Sequence, residues 1–140
     1  MRPKKIILCV DSNEQELSVV SFMLSTNGYK VLAATTTRDA EEQFTENPVD
    51  LVLVDSTLSH ANSDQLIRRL KQLASHVPMI LLGDPASMNG QMHAADAVLA
   101  RKSVTPMELL ERIKTMSARK RGPRKGTQRA AQNNELAVAS

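Results

Sequence analysis

The strongest constraint on this chain is an alternation. Short runs of apolar residues recur along it, and a stretch with helical signals follows each one. The runs are KIILCV at Lys5–Val10, KVLAA at Lys30–Ala34, LVLV at Leu51–Val54, MILL at Met79–Leu82 and AVL at Ala97–Leu99. A short continuous apolar run bounded by turn signals reads as a strand buried on both faces. The intervening segments carry helix punctuation. Ser12 to Gln15 has capping-box spacing, and Asn27-Gly28 stops a helix that reaches about Thr26. Thr36 or Thr37 starts a second helix, which ends at Asn47-Pro48. Asn62 or Ser63 starts a third, with Leu66, Leu70 and Leu73 on one apolar stripe. Thr105, Pro106 and Glu108 supply the cap, first-turn proline and capping-box acid of the last helix. Strand followed by helix, five times over, implies an α/β domain. Its parallel sheet is covered on both faces and joined by right-handed crossovers.

Sheets of this kind place their ligands beyond the carboxyl ends of the strands. Asp55 stands at that end of the third run, Asp11 at that end of the first, and the Lys102 region follows the fifth. Charged groups from three strands are therefore expected to converge. Phe22, Tyr29 and Phe44 are the only aromatic residues, so the core must be aliphatic. Met79, Met88, Met92, Met107 and Met116 read as core and loop filler, and His60 and His76 as surface loop residues. The single cysteine, Cys9, lies inside an apolar run. It excludes an internal disulfide and points to a reducing compartment, with the thiol acting as a small core hydrophobe. No apolar stretch approaches the roughly 20 residues of a membrane span. IILCV meets Asp11 too soon to be a signal-peptide core. The expectation is a cytoplasmic protein with no membrane partner.

Charge divides the chain into two parts. Residues 1–117 carry a net −2 and residues 118–140 a net +5. The first part reads as the folded domain. The second lacks apolar periodicity and reads as a basic, disordered tail. Arg119–Lys125 (RKRGPRK) has no interleaved aromatics and no accompanying reading head, so nucleic acid is not an expected partner. There is no Gly-rich phosphate loop and no nucleophile elbow, which argues against a small-molecule enzyme.

Over about residues 4–117 the layout resembles the receiver domain of bacterial two-component response regulators. The resemblance rests on ILCVDSN at the first strand, PVDLVLVDSTLS at the third, PMILLG at the fourth and ADAVLARKSVTPMELLERI at the end. It implies a flavodoxin-like (βα)5 sheet with strand order 2-1-3-4-5. It also implies that Asp55 accepts a phosphoryl group from a histidine kinase or phosphotransfer protein. Asp11, Asp55 and the backbone carbonyl of Thr57 would hold Mg2+. A lysine would clamp the phosphoryl oxygens: spacing from Pro106 favours Lys102, and spacing from Ala94 gives Arg101 as the alternative.

The chain departs from the family pattern at several positions. Ser12 stands where a second acid is usual, and Glu14 is a candidate replacement. Gly83 stands at the switch-hydroxyl position, Val98 at the aromatic switch position, and Ser59-His60 at the usual Pro-Gly pair. The stretch from Gly83 to Ala94 is short, so a shortened fourth helix is expected there. The last 23 residues leave no room for an output domain, so signalling is expected through contacts with a downstream protein. The alternative is a pseudo-receiver, an interaction module that works without phosphorylation.

Overall fold

The computed structural model describes residues 4–55, 60–83 and 94–118, with the backbone alone at 60 and 61. Strands and helices alternate along them as β1 (Ile6–Val10), α1 (Glu14–Thr26), β2 (Lys30–Ala34), α2 (Thr37–Glu46), β3 (Leu51–Asp55), α3 (His60–Leu73), β4 (Met79–Gly83), β5 (Ala97–Ala100) and α4 (Pro106–Ser117). All neighbouring strands pair in parallel, in the order β2-β1-β3-β4-β5. This is the flavodoxin-like order. The shortened helix expected between Gly83 and Ala94, Thr57, Ser59 and the tail after Ala118 lie outside the described residues.

Strand alternation divides the core in two. Leu8, Val10, Val52, Val54 and Leu81 pack with Ala40 and Phe44 of α2 and with Leu66, Ile67 and Leu70 of α3. Ile7, Cys9, Leu51, Leu53, Ile80 and Leu82 pack with Leu17 and Leu24 of α1 and with Leu109, Ile113 and Met116 of α4. Side chains two apart on a strand share a face, so each central strand feeds both cores and cannot alternate with polar residues. That is why LVLV and MILL are apolar throughout.

The helix ends follow local chemistry. Thr36 caps α2 by accepting from the Asp39 N–H at 3.1 Å. Thr105 and Glu108 form the reciprocal capping box of α4, with Pro106 in its first turn. At the end of α1, Gly28 adopts φ +94°. The Tyr29 N–H then reaches the Leu24 carbonyl and the Gly28 N–H the Ser25 carbonyl, which closes the helix as a left-handed cap should.

Several expectations need correction. The cap of α1 is Asn13, not Ser12, because the Asp11 carboxylate accepts the Asn13 N–H and carries the turn one residue further. α3 begins at His60, earlier than Asn62 or Ser63, so His60 is helical rather than a loop residue. Ser63 is fully buried and donates to the Asp55 carbonyl at 3.4 Å. The buried stripe of α3 is Leu66, Ile67 and Leu70, whereas Leu73 is 55% exposed. Met107 is likewise exposed rather than core.

Two aspartates finish the amino edge of the sheet. The Asp50 carboxylate accepts the Ile6 N–H at 2.8 Å, and the Asp96 carboxylate accepts the Met79 N–H at 2.7 Å. Lys71 pairs with Asp96 at 2.6 Å. These carboxylates satisfy strand-end donors that would otherwise lose water without a partner.

The corrected stripe gives a direct comparison. Leu70→Ala should lower unfolding free energy by about 2–5 kcal/mol, and Leu73→Ala by about 0.5 kcal/mol or less. Urea unfolding followed by far-UV circular dichroism measures both. Equal losses would contradict the assignment.

Candidate functional site

Asp11 and Asp55 leave the sheet side by side because Val10 lies opposite Val54 in the β1–β3 register. Both are buried, each 5% exposed. Both follow residues of the α1/α4 core by two positions, Cys9 and Leu53, so their side chains emerge on that face. Asp11 is fixed by its own turn: its N–H donates to the Ala34 carbonyl, and its Oδ1 accepts from the Asn13 N–H at 2.9 Å.

That turn has a consequence for Glu16. Glu16 is the third residue of α1, the position from which an acid usually reaches back to the cap N–H. Glu108 does so in α4, accepting from the Thr105 N–H at 2.9 Å. In α1 the Asn13 N–H is already taken by Asp11. The Glu16 side chain instead faces the sheet edge, where carboxylate oxygens of Asp11, Glu16 and Asp55 all lie within 4.8 Å of one another.

Arg101 enters this cluster from β5. Its N–H donates to the Gly83 carbonyl at 2.9 Å, which prolongs the ladder by one residue. Its Nε lies 3.4 Å from Asp55 Oδ1, and its Nη1 lies 3.5 Å from Glu16 Oε1. One guanidinium thus bridges two carboxylates. Lys102 is exposed and lines the same cleft without an ion pair among the described residues. The cleft has a volume of about 480 Å³ and runs from the acids along Leu17, Val20 and Met23 of α1 to Val104 and Leu109.

The sequence therefore located Asp11 and Asp55, and spacing from Ala94 rather than from Pro106 located the cation beside Asp55. A usable signal was present: Arg101 follows Leu99 by two residues, and Leu99 packs in the α1/α4 core with Leu53. Glu16 was missed. Glu14, the expected replacement for the acid absent at Ser12, instead lines a separate surface depression with Ser18 and Asp39. Thr57 lies outside the described residues. The three carboxylates are hard oxygen donors at a spacing that suits a hard divalent cation. Among the described residues the Arg101 guanidinium pairs with two of them, Asp55 and Glu16.

A doubly wound parallel sheet with an acid cluster at its carboxyl edge is the arrangement that the resemblance to receiver domains implies. The response regulator receiver domain family matches residues 7–114, and the chain belongs to that family. It is 30% identical over 125 residues to the phosphate regulon transcriptional regulatory protein PhoB of Pseudomonas aeruginosa, covering 85% of this chain and 54% of PhoB. It is 32% identical over 76 residues to the autoinducer 1 sensor kinase/phosphatase LuxN of Vibrio campbellii, covering 54% of this chain and 9% of LuxN. The chain thus spans about half the length of the first relative and a small part of the second. Among solved structures, a response regulator from Chloroflexus aurantiacus superposes with a TM-score of 0.74 at 27% identity, covering 84% of this chain and all of that one. A CheY-like receiver domain protein from Methanospirillum hungatei superposes with a TM-score of 0.71 at 26% identity, covering 82% of this chain and 94% of that one. No helix among the described residues is long and apolar enough to cross a membrane.

Cys9 lies at the floor of the cleft. Burial pushes its thiol up to about 12, and the negative charge of Asp11 adds to the rise. The thiolate is the reactive form, so at about pH 8 the folded protein should resist alkylation by iodoacetamide and react only after unfolding. The same shift sets a pH dependence. Below an ordinary thiol value of 9.0 both states hold the proton; between there and about 12 only the folded state does. Unfolding then releases a proton, so stability falls as pH rises through that window. Cys9→Ala should flatten this part of the urea-midpoint profile. An unchanged slope, or rapid native-state alkylation, would contradict the burial.

Proposed function

We propose that this chain is a phosphorylatable receiver: Asp55 accepts a phosphoryl group from a phosphohistidine of a histidine kinase or phosphotransfer protein. The signal then passes through contacts with a downstream protein. The observation that carries the reading is the setting of Asp55, buried at the carboxyl end of the central strand beside Asp11, Glu16 and Arg101.

Phosphoryl transfer between two anionic partners is governed by positioning and charge neutralisation. Asp11, Asp55 and Glu16 have the donor chemistry to hold Mg2+ at this edge, with the Thr57 carbonyl as the further ligand implied by resemblance. A bound divalent cation would draw off negative charge from the carboxylate and the incoming phosphoryl group. In the transfer an Asp55 carboxylate oxygen attacks phosphorus, an O–P bond forms and the P–N bond of the phosphohistidine breaks. The electron pair leaves on the imidazole nitrogen, which takes up a proton. Arg101 is placed to pair with the phosphoryl oxygens, since its planar fork matches them in geometry. Lys102 stands beside it at the cleft rim as a second cation.

The readout is expected to be weak. Gly83 ends β4 without a hydroxyl, and Val98 packs against the α2/α3 core where a receiver usually carries an aromatic toggle. Little at these positions can follow the phosphoryl group. A second reading draws on the same arrangement: Arg101 already neutralises Asp55, which suits a pseudo-receiver that binds its partner constitutively.

Incubation with Mg2+ and acetyl phosphate separates the two. A receiver gains the mass of one phosphoryl group, and Asp55→Asn abolishes the gain. No gain, or a gain that survives Asp55→Asn, would overturn the reading and leave the pseudo-receiver. For the latter, Asp55→Asn should not alter partner binding.

A further inference from the structure

We infer that residues 119–140 dock on this domain's own cleft between α1 and α4 and cover its mouth beside Asp55. The basic run Arg119–Lys125 would return along α4 to the acids at the start of α1, and Leu136 and Val138 would cover Val19 and Phe22. The docking stands on its own observations; its consequence for Asp55 rests on the receiver reading.

The cleft has an apolar wall that α1 leaves open. Val19 and Phe22 lie three residues apart, so they share one side of the helix. They are 68% and 71% exposed, while Phe44 is buried in the α2/α3 core. Val19, Val20 and Met23 line the cleft together with Val104 and Leu109. An exposed apolar patch continuous with a cleft marks a contact surface. The charge on α1 has one sign: the helix carries Glu14 and Glu16 and no lysine or arginine. Glu16 lines the cleft at its acid end, and its side chain is 49% exposed. Arg101 and Lys102 stand on the β5 side, so a basic segment is favoured along α1.

Residues 119–140 carry the complementary features in a matching order. They hold six basic residues and one acid, against a net −2 for residues 1–117. The basic residues end at Arg129, and the only large apolar side chains, Leu136 and Val138, follow. The reach fits as well. α4 begins where Thr105 and Pro106 line the cleft and runs back along the sheet to Ser117. Its 12 residues span about 18 Å. Six extended residues after Ala118 span about 20 Å, which brings Arg124 and Lys125 level with Glu16. Eleven residues lead from Lys125 to Leu136, enough to turn back over Val19 and Phe22, which lie within two turns of Glu16. A tethered segment meets its site at an effective concentration on the order of millimolar, so weak contacts suffice. A segment seated there would have to leave before a phosphohistidine could approach Asp55.

The test places a nitroxide on the full chain through Val138→Cys and reads paramagnetic broadening of amide resonances at low salt, where charge contacts are least screened. Cys9 is buried, so the label goes to the introduced thiol. The amides of Val19, Phe22 and Met23 should lose most of their intensity, while those of α2 and α3 on the opposite face keep theirs. Arg124→Glu combined with Lys125→Glu should restore most of the α1 intensity. Phe22→Ser should do the same, and because Phe22 is exposed its replacement leaves the core intact. Nitroxide-bearing chain mixed with isotope-enriched chain that has no nitroxide should give no broadening, whereas a second copy as the occupant would give it. Broadening that is absent, spread evenly over both faces, indifferent to the charge reversal or passed between copies would overturn the inference. Acetyl phosphate plays no part in this measurement. Its failure to label Asp55 would sink the receiver reading alone, and unbroadened α1 amides would sink this inference alone.

Discussion

The site depends on one constraint, the parallel pairing of β1 with β3. Parallel strands bring all their carboxyl ends to one edge, and the register of Val10 against Val54 sets Asp11 next to Asp55 at that edge. Nothing in the local sequence of either aspartate brings them together. The apolar runs do so, because Leu8, Val10, Val52 and Val54 must meet α2 and α3 while Ile7, Cys9, Leu51 and Leu53 meet α1 and α4. A register slip by one residue would exchange the two faces and bury the acids in the wrong core.

The two edges of the sheet treat aspartate differently. At the amino edge, Asp50 and Asp96 accept N–H groups at the starts of β1 and β4. Their work is structural. At the carboxyl edge, Asp11, Asp55 and Glu16 crowd together, with Arg101 beside Asp55 and Glu16. Such crowding of like charge costs stability, and folds keep costs of this kind at sites that handle a ligand.

Much of this was legible beforehand. The strands fall within a residue of their apolar runs, and Thr36, Gly28, Thr105, Pro106 and Glu108 do what their residue types suggest. The α1 start misled for a local reason. Ser12, Asn13 and Asp11 all bear acceptors able to cap, and only the folded turn shows that Asp11 takes the Asn13 N–H and so frees Glu16. The choice between Lys102 and Arg101 turned on which end the count began from. Counting back from the capping box of α4 crosses the turn at residues 101–103, where spacing carries no facing information. Counting forward from Leu99 follows strand alternation and gives Arg101. The early start of α3 was missed although Ser59, a residue type that favours helix caps, directly precedes His60 in the sequence.

The account turns on whether the carboxyl-edge cluster is where a phosphoryl group is received. Beryllofluoride, a phosphoryl mimic, added with Mg2+ to isotopically labelled protein, tests this by amide chemical shifts. The account predicts the largest shifts at Asp11, Asp55 and Arg101, with the amides of Asp50 and Asp96 at the opposite edge nearly still. A spectrum that does not change, or changes centred on the amino edge, would contradict it.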